Sequence, residues 1–332
     1  MRGEIEKHPL SIINGDYYRF ILNNIHDAIM VIDKNYQIVD LNDASCELCE
    51  SSRRKMIGQR CYKVLRGFDE PCFLKDLDCP VHNVFETGQP AKAVHRHKMP
   101  SDRLIWLEIL ASPLRGEDGS VEYVVEAYRN ITDLVKVHDH LQATLSGVIS
   151  SLATVVEMRD PYTAGHQRRV SQLASAIAKE LGFSRNRFAG IRIAGLLHDL
   201  GKISIPLEIL SRPGKISEEE YNLIKRHPQT GYEILQDIDF EWPVADIILQ
   251  HHEKWNGSGY PRGLSGENII LESRILCIAD VVEAMLFHRP YRPAHDITEA
   301  LDEISRNKSI LFDAALVDIC VKIFTEKGFK FK

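Results

Sequence analysis

The chain has 332 residues, enough for two domains with separate cores, and its 44% hydrophobic and 27% charged content is that of an ordinary globular protein. A formal net charge of -6 offers no general attraction to nucleic acid or an anionic membrane, so an anionic ligand would have to be held by local cations or by metals. No apolar run approaches the roughly 18 residues of a membrane span. The N-terminal MRGEIEKHPLSIING lacks the apolar stretch of a secretory signal. The seven cysteines are an odd number, and five lie between Cys46 and Cys79. Without a signal, they are expected as reduced thiols in a cytoplasmic protein.

In chain order, Ala28-Ile-Met-Val-Ile-Asp-Lys-Asn-Tyr-Gln-Ile-Val-Asp-Leu-Asn42 predicts two short strands around an Asp-Lys-Asn turn. Trp106–Leu110 and Val121–Tyr128 predict two more, separated by the turn-rich Arg115-Gly-Glu-Asp-Gly-Ser120. Two hairpins with helical material between them imply a small antiparallel sheet with helices on one face. With Leu41-Asn-Asp-Ala44 after the first hairpin and Arg129-Asn-Ile-Thr-Asp133 at its close, the segment resembles a PAS domain, expected over 14–134.

Leu134, Leu141 and Val148 then recur every seven residues, with Val137, Leu145 and Leu152 between them. That pattern predicts a helical coiled-coil linker over 135–152, through which two copies would pair; an amphipathic helix packed on its own domain is the alternative. From 153 to 332 the strand signals vanish. The stripe Val170, Leu173, Ile177, Leu181 ends at Gly182, and Ser217-Glu-Glu-Glu220 is a capping box before the helix that leads to His227. Val244–His252 and Glu272–Met285 are further helical runs, so the second domain is expected to be all-α.

This helical half carries His166, the dyad His198-Asp199, His227, the pair His251-His252, and Asp280, each in or at the end of a predicted helix. Imidazole and carboxylate without thiolate suit borderline-hard divalent metals, Fe or Mn first and Zn or Ni next. Five histidines and two aspartates exceed what one tetrahedral site can use, so two metals are expected. A carboxylate at Asp199 can bridge them while its neighbour His198 binds one.

The surrounding motifs are Asp160-Pro-Tyr-Thr-Ala-Gly-His166, Leu197-His-Asp-Leu-Gly-Lys202, His251-His-Glu-Lys-Trp-Asn-Gly-Ser-Gly-Tyr-Pro261, Asp280-Val-Val-Glu-Ala284 and Arg289-Pro-Tyr-Arg292. In order and spacing they closely resemble the HD-GYP family, a branch of the His/Asp metallohydrolases that degrades cyclic di-GMP. The resemblance implies His166, His198, Asp199 and Asp280 as ligands of one metal, and His227, His251 and His252 as those that complete a second, with Asp199 bridging. It implies Lys202 as the group that stabilises the phosphate or helps the leaving oxygen depart, and Asp160 as its orienting partner. Arg289 and Arg292 match residues that contact the nucleotide, a task suited to bidentate hydrogen bonding. Gly259 and Tyr260 belong to the Gly-Tyr-Pro loop, whose backbone and ring can meet substrate or a partner.

Three positions depart from the family. Tyr162 stands where some members carry a carboxylate for a third metal, Asn256 replaces the usual Asp of the His-His-Glu loop, and His288 replaces the Asp before Arg-Pro-Tyr-Arg. In the PAS-like half, Cys61, Cys72, Cys79 and His82 are candidates for a sensor site. Unremarkable thiols, a metal, cluster or redox site, and haem ligation by His82 all remain open, and the signal is not readable. The leading function is a sensor-regulated phosphodiesterase that converts cyclic di-GMP to pGpG or GMP. The alternatives are hydrolysis of another cyclic dinucleotide or nucleotide, and a weakly catalytic module that docks on diguanylate cyclases.

Overall fold

The computed structural model describes residues 15–99, 101–159, 164–212, 214–287 and 295–331. The chain divides into two compact units between Gln142 and Ala143. The first is built on a five-stranded antiparallel sheet of order β2-β1-β5-β4-β3. Its strands are β1 (Ala28–Asp33), β2 (Ile38–Leu41), β3 (Ala91–Lys98), β4 (Leu104–Arg115) and β5 (Val121–Asn130). The two expected hairpins are β1–β2 and β4–β5, and β1 also pairs with β5.

The sequence landmarks of this unit have direct physical roles. Asn42 is fully buried: its Oδ1 accepts from the Ile29 and Ser45 amides, and its Nδ2 donates to the carbonyls of Leu22, Ile25 and Asp27. One side chain thus caps the helix Asp43–Leu48 and ties it to β1. At the other end, Thr132 Oγ1 accepts from the Trp106 amide at 2.9 Å and donates to Asn130 Oδ1 at 2.6 Å, and Arg129 pairs with Asp27. Strand β3 is absent from the sequence-based expectation. Its most buried side chains are Ala93 and His97, so the apolar alternation that marks a half-buried strand is missing.

The second unit is helical, with main elements His166–Glu180, Arg185–Leu197, Glu218–Ile224, His227–Leu235, Val244–Gln250, Leu271–Leu286, Ile297–Arg306 and Ala314–Thr325. Its core gathers Leu173, Ile177, Ile191, Leu197, Ile248 and Ile275, among others. Gly182 adopts the left-handed conformation that ends the first of these helices, and Ser217 and Glu220 form the expected capping box.

The helix Thr132–Arg159 runs across the division between the units. It corrects one expectation: a window of mean hydropathy 1.3 gives it the length and composition of a membrane span. Counting apolar runs missed this because Ala, Ser, Thr and Gly interleave its Leu and Val residues. Ala153 and Val156, near its end, are buried, Val156 in the core of the helical unit. Leu134, Val137, Leu141, Leu145 and Val148 are exposed along it.

Candidate metal centre

Helix ends converge on one point of the second unit. His166 begins the helix His166–Glu180, His198 caps the C-terminus of Arg185–Leu197, and Asp199 opens the 3₁₀ turn Leu200–Ser204. His227 begins its helix, His251 caps the end of Val244–Gln250 with His252 next, and Asp280 projects from Leu271–Leu286. All seven side chains expected as ligands are therefore brought together. They form overlapping groups, His166/His198/Asp280, His198/Asp199/His251 and His227/His251/His252, with ligand atoms of each group within 4.8 Å of one another. Asp199 faces both sides. Its Oδ2 lies 3.5 Å from His198 Nε2 and 3.7 Å from His166 Nε2, while its Oδ1 lies 3.5 Å from His227 Nε2.

The donor chemistry fits divalent cations. The Nδ1–H groups of His198, His227 and His251 donate to the carbonyls of Gly195, Ile224 and Ile248 at 2.9, 2.8 and 2.6 Å. A carbonyl can only accept, so each ring presents an Nε2 lone pair. His198 Nε2 is buried with no hydrogen-bond partner. Burial lowers the pKa of His227 to about 4 and those of His251 and His252 well below the usual value, so all three stay neutral. His227 Nε2 and His251 Nε2 are 3.3 Å apart. Two bare lone pairs repel at that distance unless a cation lies between them, and it matches two imidazoles bound to one ion at about 2.1 Å.

The carboxylates balance this. Burial would raise the pKa of Asp199, but Lys202 and the surrounding histidines hold it well below the ordinary value; Asp280 is likewise held down against burial, by His166 and its neighbours. Burial opposes protonation of His166, yet Asp280 at 3.3 Å and Glu283 raise it to about 9. A divalent cation can take the place of that proton. Lys202 Nζ donates to Asp199 Oδ2 at 2.8 Å.

A cleft of about 540 Å³ opens onto the centre and is lined by His166, Asp199, Lys202, His227, His252, Tyr260 and Asp280. Arg212, Lys215 and Tyr221 also line it. The Tyr260 ring packs 4.8 Å from that of His252. Gly259 sits behind it: a Cβ there would fall 2.5 Å from Glu253 Cα, His252 O and Lys254 N, so this glycine serves close approach to the chain's own backbone. Glu253 clamps the loop by accepting from the Arg262 and Leu264 amides. Asn256 Oδ1 accepts from the Ser258 amide, a bond the usual Asp would also make. Asp160, Arg289 and Arg292, with Tyr162 and His288, lie outside the described residues.

Two contributors were not read from the sequence. Glu283 is buried and accepts from His166 Nδ1–H with one oxygen and from Arg169 Nε at 2.6 Å with the other, so it orients His166 from behind. Its place three residues after Asp280, on the same helix face, was the available signal. Gly201 is the other: a Cβ would lie 2.0 Å from His227 O and 2.6 Å from Gly231 N. Its missing side chain lets the Asp199 turn pack against the His227 helix.

In the PAS unit, Cys61, Cys72 and Cys79 line one cavity of about 30 Å³. His82 is not among its lining residues. It stacks on Phe73 with centroids 3.9 Å apart, and its Nδ1 is 3.1 Å from the Tyr36 hydroxyl.

Comparison with known proteins finds a match for each of the two units. An HD-domain family model matches residues 150–316, just over half of the chain, and a PAS-fold model matches residues 22–136. The chain is 43% identical over 176 residues to the cyclic di-GMP phosphodiesterase response regulator RpfG of Xanthomonas campestris pv. campestris (strain 8004), covering 52% of this chain and 47% of that protein. It is 38% identical over 183 residues to the cyclic di-GMP phosphodiesterase of Thermotoga maritima, covering 54% and 49%. It is also 38% identical over 172 residues to 3'3'-cGAMP-specific phosphodiesterase 1 of Vibrio cholerae, covering 52% and 40%. The chain spans less than half the length of each of these relatives. With an HD-domain match over half its length, and with His/Asp groups able to hold divalent metal at its centre, the chain belongs to the HD-domain family and carries a PAS fold in its N-terminal half.

Proposed function

We propose that the chain is a sensor-regulated phosphodiesterase that hydrolyses cyclic di-GMP to pGpG or GMP on a pair of divalent metals, iron or manganese before zinc or nickel. The observation that carries this reading is Asp199, whose two oxygens face separate histidine groups. His166, His198 and Asp280 would hold one ion, His227, His251 and His252 the other, and Asp199 would bridge. When bound, such a pair neutralises a phosphodiester and lowers the pKa of an attacking water. Lys202, on the cleft wall, would hold a phosphate oxygen and protonate the departing ribose oxygen, with Asp160 orienting it. Tyr260 offers a ring face to a base, and Arg289 and Arg292 would bind the nucleotide. Two metals are preferred to three because Tyr162 replaces the third-site carboxylate.

Two relatives named for cyclic di-GMP support the substrate. The relative named for 3'3'-cGAMP, at similar identity, makes that dinucleotide the alternative substrate. A module that only docks on diguanylate cyclases would have no need of a complete ligand set. The exposed Leu134, Leu141 and Val148 seam would pair two copies in a cytoplasmic homodimer, so that the PAS unit can bias the catalytic unit.

The test is turnover of purified, metal-loaded protein against a cyclic dinucleotide panel, with two variants alongside. Asp199→Ala is expected to lose metal and turnover together. Lys202→Ala is expected to keep metal while turnover falls roughly a hundredfold or more. Activity surviving in Asp199→Ala would overturn the bridging role, and absence of turnover on every cyclic dinucleotide would overturn the function.

A further inference from the structure

The proposed reaction accounts for one phosphate, whereas a cyclic dinucleotide carries two. The metal pair and Lys202 would take the phosphodiester that is cleaved. The other brings a second negative charge to a chain whose own net charge is -6. Moving that charge from water into a cleft is costly unless cations or hydrogen-bond donors meet it. Bases and riboses are neutral at ordinary pH, so they place no such demand.

The cleft has cations that the reaction does not use. Among the described residues, the charged side chains that line it beyond the candidate metal ligands are Lys202, Arg212 and Lys215. Lys202 is committed to Asp199, to which its Nζ donates at 2.8 Å. Arg212 and Lys215 remain. They share this part of the lining with Leu210, Gly214, Tyr221 and Ile224.

This wall is tied to the metal centre. Arg212 Nη1 pairs with Glu220 Oε1 at 2.5 Å, and the other oxygen of Glu220 accepts from the Ser217 amide at 2.9 Å in the capping box. The guanidinium is thus steered by a carboxylate that is itself fixed at a helix start. Four residues on, after about 6 Å of helical rise, the same helix ends at Ile224, whose carbonyl accepts from His227 Nδ1–H. One short helix therefore sets both Arg212 and a candidate metal ligand. The Arg212 side chain is 47% exposed, and a guanidinium has five donors, so its pairing with Glu220 leaves capacity for a second anion. Glu220 offsets the charge of Arg212. Lys215, which is exposed, supplies the net positive charge that answers a phosphate.

We propose that Arg212 and Lys215 bind the second, uncleaved phosphodiester of a cyclic dinucleotide, and so favour substrates with two phosphates over those with one. This rests on the reading that a cyclic dinucleotide occupies the cleft, and it adds residues that position it there. A phosphate contact carries no information about the base, so the pair serves cyclic di-GMP and 3'3'-cGAMP alike.

Steady-state kinetics of the full-length, metal-loaded chain test it. Cyclic di-GMP and 3'3'-cGAMP are the substrates with two phosphodiesters, and bis(para-nitrophenyl) phosphate is the one with a single phosphodiester. Lys215→Gln and Arg212→Gln are each expected to raise KM for the cyclic dinucleotides about tenfold or more, the scale of a lost charged hydrogen bond, with kcat and bound metal changed far less. The loss in kcat/KM on bis(para-nitrophenyl) phosphate should be several-fold smaller. Lys215→Arg and Arg212→Lys should recover most of the loss. An unchanged KM for cyclic di-GMP in Lys215→Gln, which alters an exposed side chain and needs no repacking, would overturn the proposal. So would equal losses on cyclic di-GMP and bis(para-nitrophenyl) phosphate. A loss on cyclic di-GMP without one on 3'3'-cGAMP would assign the pair to a base and overturn it too. A wild type that hydrolyses bis(para-nitrophenyl) phosphate but no cyclic dinucleotide gives a different result, which overturns the proposed function and this inference with it.

Discussion

Replacing Glu283 with Gln should weaken one metal site and spare the other. Glu283 accepts two hydrogen bonds, one from His166 Nδ1–H and one from Arg169 Nε at 2.6 Å, and Arg169 in turn lies over the Phe287 ring at 3.8 Å. Glutamine keeps the shape but has one oxygen and one amide group. Whichever way it turns, an N–H faces either the imidazole N–H or the guanidinium N–H. His166 then loses the carboxylate that fixes its tautomer and makes its Nε2 more basic. Loss of such a partner typically weakens metal affinity 10- to 100-fold, or about 1.4–2.7 kcal/mol. Glu283 touches only His166 among the proposed ligands, so the loss should be confined to the ion held with His198 and Asp280. The His227/His251/His252 ion should be unaffected. Competition titration with a chelator of graded affinity resolves the two ions as separate steps. Unchanged affinity in both steps, or equal weakening of both, would refute the orienting role.

Three further outcomes are expected. Gly201→Ala would place a Cβ 2.0 Å from His227 O; the required shift should destabilise the helical unit by roughly 1–3 kcal/mol in urea melts and lower metal content, and a variant with normal stability and metal would contradict this. Leu141→Asp, at an exposed position of the linker seam, should convert a dimer to a monomer by light scattering at micromolar concentration; a wild type that is already monomeric counts against the seam. Glu126 has a folded pKa of about 8 against an ordinary 4.5, so folding takes up a proton between these values; its contribution is full below 4.5 and is lost as pH rises through 8, by roughly 5 kcal/mol at most. Glu126→Gln should flatten that slope in thermal melts of chelator-treated protein, and an unchanged slope would assign it to another group.

What was legible in the sequence was chemistry carried by residue type in a short motif. Six of the seven candidate ligands stand beside a helix boundary, where the elements meet, and the seventh, Asp280, lies within the helix Leu271–Leu286. Strand β3 was not legible, because Ala93 and His97 on its buried face break the apolar alternation. The cysteines were legible as a cluster, but their surroundings were not: His97, from that unread strand, lines the cavity with Cys61, Cys72 and Cys79, whereas His82, nearer in sequence, stacks on Phe73. Glu283 and Gly201 act through what lies behind them, a ring nitrogen in one case and a facing helix in the other. No spacing rule reports a partner more than a hundred residues away, as His166 is from Glu283.

The positions of three histidines also follow from helix physics. The last four carbonyls of a helix have no partner within it. His198 caps the helix that ends at Leu197, and His251 caps the one that ends at Gln250. Each finds a last-turn carbonyl three residues back, Gly195 or Ile248, placed to accept its Nδ1–H, and the Ile248 carbonyl also receives the His251 amide at 3.5 Å. His227 makes the same bond to Ile224, the last residue of Glu218–Ile224. A carbonyl of the last helical turn thus fixes the tautomer of a candidate ligand and turns its Nε2 toward the centre. The partial negative charge at a helix C-terminus adds a favourable field for a cation there. Histidine at these positions gives its ring N–H a partner and leaves Nε2 for an ion. An alanine at any of them would lose a ligand and also the side-chain hydrogen bond to a helix end.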